Sequence, residues 1–165
     1  MRTVIIIPTI YPLMNKIHLH KCSVISLNVR GLRDTVKRRS IFTYLKDQDA
    51  DFNFLQETFS KVSDETVWRN EWGGEIYFSH GTSHSKGVCI LINRVVKEKV
   101  TFTFSDSDGR IILINLTYNG LKLSFCNIHA PNDHTQQVSS ILKLINYSCS
   151  QKPINDLHLS QVDES

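Results

Sequence analysis

The sequence predicts an α/β (α+β) fold, and three observations predict it. Apolar strand-like runs at Cys22–Asn28 and Asp51–Thr58 flank a helical segment, a βαβ unit with parallel strands and a right-handed connection. Farther on, Val100, Phe102 and Phe104 alternate with polar residues, as a half-buried strand requires. Asn119-Gly120 then separates two more apolar runs and is a dipeptide favoured by type I′ hairpins. The 165 residues make about one domain, long enough for a real core, without an internal repeat or a low-complexity linker.

Residues Met1 to His20 open the chain. Val4 to Met14 is apolar but short and interrupted by Pro8 and Pro12, well below the roughly 20 residues that cross a bilayer, so no membrane partner is expected. Arg2 is not followed by a small-residue cleavage site, as a signal peptide would be. His18 and His20 alternate with Ile17 and Leu19 on a strand face, and two histidines without further ligands do not make a metal site. Residues 1–20 read as an added leader of unknown role, residues 21–153 as the domain and residues 154–165 as a divergent tail.

The first strand delivers Asn28, and Asp34 is the expected N-cap of the helix that follows, with Ile41, Tyr44 and Leu45 marking its apolar face. Arg30 and Arg33 precede that helix, and Lys37, Arg38 and Arg39 lie on its other side. This basic set has two readings, a solvated face or phosphate contact beside Asn28. The second strand ends in Glu57. Phe59 to Glu71 reads as a loop or short helix whose Trp68, with Trp72 just beyond, serves packing rather than base stacking. Strands are expected at Glu75–Ser79, Gly87–Asn93, Ile111–Tyr118 and Leu121–Ile128, with a hydrophilic loop from His80 to Lys86. Ser139–Tyr147, carrying Ile141, Leu142, Leu144 and Ile145, reads as a helix covering the sheet.

Ligands of open α/β sheets collect outside the carboxyl ends of the strands, so Asn28 and Glu57 are expected side by side on one rim. An amide and a carboxylate suit a hard cation, because Mg²⁺ takes oxygen ligands, commonly only one or two carboxylates, and keeps several waters. A formal charge of +3 and a pI near 8.7 permit contact with nucleic acid. Cys22, Cys89, Cys126 and Cys149 have no C-x-x-C spacing and read as small buried hydrophobes of a reducing, intracellular compartment, nucleus or cytoplasm.

Ser26-Leu27-Asn28-Val29-Arg30-Gly31-Leu32 and Leu55-Gln56-Glu57-Thr58 resemble the first two motifs of the endonuclease/exonuclease/phosphatase superfamily, and most of all the apurinic-type endonuclease domain of non-LTR (LINE-type) retrotransposons. Ser85–Ile92 resembles its glycine-led strand, Asp106–Arg110 its acid-x-x-Gly-Arg turn, and Asn127–Asn132 its Asn-x-Tyr-Ala-Pro-Asn segment. The resemblance implies a two-sheet α/β sandwich, DNA as substrate of the parent domain, and a Mg²⁺ (or Mn²⁺) ion held by Glu57 and Asn28. It places His129 where the family has a tyrosine that holds the scissile phosphate. An imidazole there either hydrogen-bonds the phosphate or stands as an aromatic replacement without chemistry.

The family's Gly-Asp-x-Asn and Ser-Asp-His segments are missing from residues 154–165, where Asn155, Asp156 and His158 stand in another order. The resemblance therefore implies an incomplete sandwich with most of the second sheet absent, its apolar face open to a protein partner. It implies a truncated Mg-dependent endonuclease of weak or no activity. The alternatives are a non-catalytic nucleic-acid-binding remnant and another superfamily member, a DNA-repair nuclease or a phosphatase.

Overall fold

In a computed structural model, the structure describes residues 2–8 and 22–129, except 83 and 98. The helix expected at Ser139–Tyr147 lies outside these residues, as do His18, His20, His134, Cys149, Asn155, Asp156 and His158. The described residues all belong to one compact unit. Its elements are β1 (Arg2–Pro8), β2 (Val24–Asn28), α1 (Thr35–Asp47), β3 (Phe52–Gln56), a 3₁₀ turn (Val62–Asp64), α2 (Glu65–Trp72), β4 (Ile76–Ser79), β5 (Val88–Ile92), β6 (Val100–Ser105), β7 (Ile111–Tyr118) and β8 (Leu121–His129).

Two four-stranded sheets result, in the orders β2-β3-β5-β4 and β1-β8-β7-β6. The βαβ expectation holds, since β2 and β3 pair in parallel with Val24 opposite Phe52 and Asn28 opposite Gln56. β3 carries no exposed residue because it is covered on both faces, which is why it reads as an apolar run rather than an alternation. Phe52 and Phe54 face the second sheet and pack with Ile112, Ile114 and Phe125, while Leu55 faces the helices with Phe42, Leu45 and Trp68. Both tryptophans are buried. Asn119 and Gly120 have φ of 49° and 80°, the left-handed pair that a type I′ turn needs between β7 and β8.

The second sheet is present, and it covers the apolar face expected to be open to a protein partner. The reason is alternation: Ile112, Ile114 and Leu116 of β7 and Leu123 and Phe125 of β8 turn one apolar face toward Phe52, Phe54 and Ile90. Residues Arg2–Pro8, part of the segment left without a role, are β1 and pair antiparallel with β8 along its length, Arg2 opposite His129 and Pro8 opposite Leu123.

α1 also departs from the expectation. Asp34 is the N-cap as expected, its Oδ1 accepting from Lys37 N at 2.8 Å. The buried stripe, however, is Arg38, Phe42 and Leu45, and Tyr44 is exposed. Arg38 therefore does not belong to the solvent face. Its guanidinium donates to Glu71 at 2.6 and 3.1 Å and to the carbonyl oxygens of Leu32 and Arg33, and it lies 5.6 Å from the Trp68 ring centroid. The ion pair fixes α1 against α2.

Arg38's hydrogen bond is the main influence holding the Glu71 carboxyl below its ordinary range, against burial, which raises it; Arg39 adds to the depression. The stabilisation that Glu71 supplies is thus complete above its unfolded value near 4.5 and is lost as pH falls through the lower folded value. Glu71→Gln should cost about 3 kcal/mol at pH 7 by leaving Arg38 buried without its counter-charge. Urea titrations between pH 3 and 7 are the measurement, and the gap between the two proteins should narrow toward acid pH.

Candidate functional site

The chain leaves β3 at Gln56 and places Glu57 in the left-handed region, φ 55°. Its backbone is pinned by Gly31, whose N–H donates to Glu57 O at 2.6 Å. Gly31 has no substitute there: its φ is 86°, and a Cβ would stand 2.7 Å from the Phe59 ring. The Asn28 and Glu57 side chains meet as expected, with Asn28 Nδ2 donating to Glu57 Oε1 at 2.8 Å. Asn28 Oδ1 accepts from Arg30 N at 3.2 Å. Flipping the amide would oppose donor to donor at Arg30 and acceptor to acceptor at Glu57, so the network fixes its orientation. Asn28 thus turns its donor, not its oxygen, to the carboxylate.

His129 ends β8 on the same rim, its Nε2 4.0 Å from Glu57 Oε1. Burial pushes the imidazole below its ordinary value, Glu57 pulls it up, and Arg110 pushes it down again. The net depression leaves the ring neutral at pH 7, with an N–H to donate and no charge of its own. Arg110 reaches this position because its carbonyl accepts from His129 N at 2.8 Å. Among the described residues, no group of three or more His, Cys, Asp or Glu side chains is placed to hold a metal.

Below the rim lies a buried amide layer, Gln56 and Asn127, outside the expected site residues. Asn127 Nδ2 donates to Leu55 O at 3.0 Å and Cys89 O at 2.8 Å, the carbonyl oxygens of a register pair on β3 and β5. Its Oδ1 accepts from Gln56 Nε2 at 2.7 Å, and Gln56 Nε2 also reaches Ser26 Oγ at 3.2 Å. Gln56 Oε1 is buried without a partner among the described residues. The signal was present in the sequence: Gln56 closes the buried run Phe52–Gln56 one residue before Glu57, and Asn127 interrupts an apolar run, Phe125 to Ile128, two residues before His129.

The basic set divides. Arg30 is exposed beside Asn28, and Lys37 Nζ donates to Arg30 O at 2.9 Å, so these two stand together near the rim. Arg33 pairs with Asp64 at 3.4 Å and Arg39 with Glu71 at 3.1 Å, both from exposed positions. Arg38 is in the core, as described above.

Fold and site together define an α/β-sandwich protein with one carboxylate, one amide and one imidazole gathered on a strand-end rim. The family described as Endonuclease/Exonuclease/phosphatase matches residues 25–147, more than half of the chain, and the chain belongs to that family. It is 28% identical over 109 residues to the "Transposon TX1 uncharacterized 149 kDa protein" of Xenopus laevis, a match covering 66% of this chain but 8% of that protein. The fold is similar to that of an AP endonuclease from Archaeoglobus fulgidus (TM-score 0.55, 18% identity, 81% of this chain and 53% of that one). It is equally similar to D. rerio TDP2 humanized by 14 mutations (TM-score 0.55, 17% identity, 79% and 60%).

Asn127→Leu keeps the volume and removes the bridge, with its three side-chain hydrogen bonds to Leu55 O, Cys89 O and Gln56 Nε2. Urea unfolding should register a loss of about 2–4 kcal/mol. An unchanged midpoint would show that the sheets need no such link.

Proposed function

We propose that the chain is a metal-assisted phosphodiesterase domain of the retrotransposon endonuclease type that acts on DNA inside the cell. The observation that carries this is the Glu57 carboxylate, oriented by Asn28 and set 4.0 Å from His129 at the strand ends of a family fold. The donor set fits Mg²⁺ or Mn²⁺: Oε1 of Glu57 is committed to Asn28, Oε2 has no hydrogen-bond partner among the described residues, and a hard cation with one carboxylate keeps its waters. When bound, the ion supplies neutralisation of charge on the phosphate and the leaving oxygen.

The chain's own residues supply binding and orientation. Asn28 holds the carboxylate through its N–H. His129, neutral at pH 7, offers an N–H to a phosphate oxygen, a role compatible with the tyrosine it replaces. Arg30 and Lys37 follow the nucleic-acid backbone beside the rim. None of the 165 residues forms a Gly-Asp-x-Asn or Ser-Asp-His segment, so this polypeptide seats the ion and the phosphate but leaves the attacking water without an oriented base. General-base assistance is worth about 10²–10⁴-fold, and its loss makes nicking slow.

Calorimetry should show weak Mn²⁺ binding that Glu57→Gln abolishes. Purified residues 1–165 should leave supercoiled plasmid intact in Mg²⁺ over hours. Nicking that Glu57→Ala stops would overturn the inactivity and keep the enzyme; equal metal binding by Glu57→Gln would remove the site itself.

DNA affinity should be weak and fall with salt. Arg30→Glu and Lys37→Glu should each flatten the slope of log affinity against log salt by about 1. Arg39→Glu, paired with Glu71, should change it less. An affinity that ignores salt would argue against phosphate contact.

A further inference from the structure

The loop that carries Glu57 is held from below by a second constellation. Glu57 and Phe59 both have left-handed φ, 55° and 56°. For non-glycine residues such backbone is strained and persists only where its surroundings enforce it. Part of the enforcement is backbone: Leu32 N donates to Thr58 O, Thr58 N to Gly87 O and Phe59 N to Lys86 O, at 2.9, 2.9 and 3.0 Å. Gly87 permits that approach, because a Cβ on it would stand 2.5 Å from Thr58 Oγ1.

The rest is a side-chain chain of one direction. Thr58 Oγ1 donates to Ser60 Oγ at 3.2 Å, Ser60 Oγ lies 3.1 Å from His80 Nδ1, and His80 Nε2 lies 2.8 Å from Glu65 Oε1. Burial raises the Glu65 carboxyl, but hydrogen bonds from His80 and Arg69 more than offset this and keep it ionised. An ionised carboxylate only accepts, so Nε2 carries the proton. Ser60 Oγ accepts from Thr58 Oγ1, which leaves its own proton to donate to His80 Nδ1. His80 itself is stacked on Phe78, with centroids 5.2 Å apart and planes at 19°, and Arg69 lies 5.3 Å from the Phe78 centroid.

Serine, histidine and carboxylate in this order resemble a nucleophile relay, but Thr58 and Ser60 have no exposed surface. No substrate atom reaches Ser60 Oγ. We propose instead that His80 is a positioning residue for Glu57, locking the 57–60 loop through Ser60 and Thr58 from an anchor on α2. The inference rests on the reading of Glu57 as the metal carboxylate and deepens it.

The test pairs amide hydrogen exchange by NMR with Mn²⁺ affinity in the full 165-residue chain, for His80→Ala, Ser60→Ala and His80→Gln. His80→Ala should speed exchange at Leu32, Thr58 and Phe59 by about 10-fold or more while core amides such as Phe54 and Ile90 keep their protection. It should weaken Mn²⁺ binding by about 10-fold, the usual scale for a group that orients a ligand. Ser60→Ala should act in the same direction with less perturbation, which covers a His80→Ala protein that fails to fold. His80→Gln, which keeps one acceptor and one donor, should restore both readouts. Unchanged loop exchange, equal acceleration in loop and core, or a loosened loop with Mn²⁺ affinity intact would each overturn the proposal. A loop response in a chain that binds no Mn²⁺ even as wild type would support the lock on Glu57 and refute the metal reading.

Discussion

The side-chain amide of Asn127 makes the connection on which the rest of this molecule depends, because it is a polar link in a layer that is mostly apolar. Phenylalanines and branched aliphatics hold the two sheets face to face without specifying register or depth. Two N–H donors aimed at the carbonyl oxygens of Leu55 and Cys89, and one acceptor taken by Gln56, do specify it. Buried polar groups cost about 1–3 kcal/mol each when unpaired, so a one-residue slip of β8 against β3 is heavily penalised. The consequence appears at the ends of the two strands. Glu57 follows Gln56, His129 lies two residues after Asn127, and the two side chains arrive 4.0 Å apart.

The same economy of buried polar groups explains the helical layer. Arg38 sits where an aliphatic residue would complete the α1 stripe, and its charge is met by Glu71, two carbonyl oxygens and the Trp68 face. A basic run on a helix can therefore be partly structural. Of the five basic residues near the first strand end, one is core, two are held by carboxylates, and Arg30 with Lys37 remain beside the rim.

Glu57 is placed by three independent constraints rather than by its strand. Gly31 clamps its carbonyl, Asn28 turns its carboxylate, and the Thr58–Ser60–His80–Glu65 chain braces the loop behind it. A carboxylate on a left-handed residue outside a strand is otherwise mobile by nature. Here the strain is stored at the point where a cation-facing group must be aimed, a distribution common to functional sites.

Much of this was legible in residues alone. The apolar runs, the Asp34 cap, the Asn119-Gly120 turn and the pairing of Asn28 with Glu57 follow from local preferences and from strands that end on one rim, and neighbouring residues suffice to express them. What only the tertiary structure decided was long-range. That Arg2–Pro8 joins β8, that β6 to β8 make a second sheet closing the first, and that Arg38 turns inward depend on partners far along the chain. Spacing did place Arg38 in line with Phe42 and Leu45, but charge argued for solvent, and only Glu71, 33 residues away, makes burial tolerable. The sequence by itself determined which groups stand at the strand ends; the packing of two sheets determined which of them meet, because a distance between side chains is set by the layers that carry them.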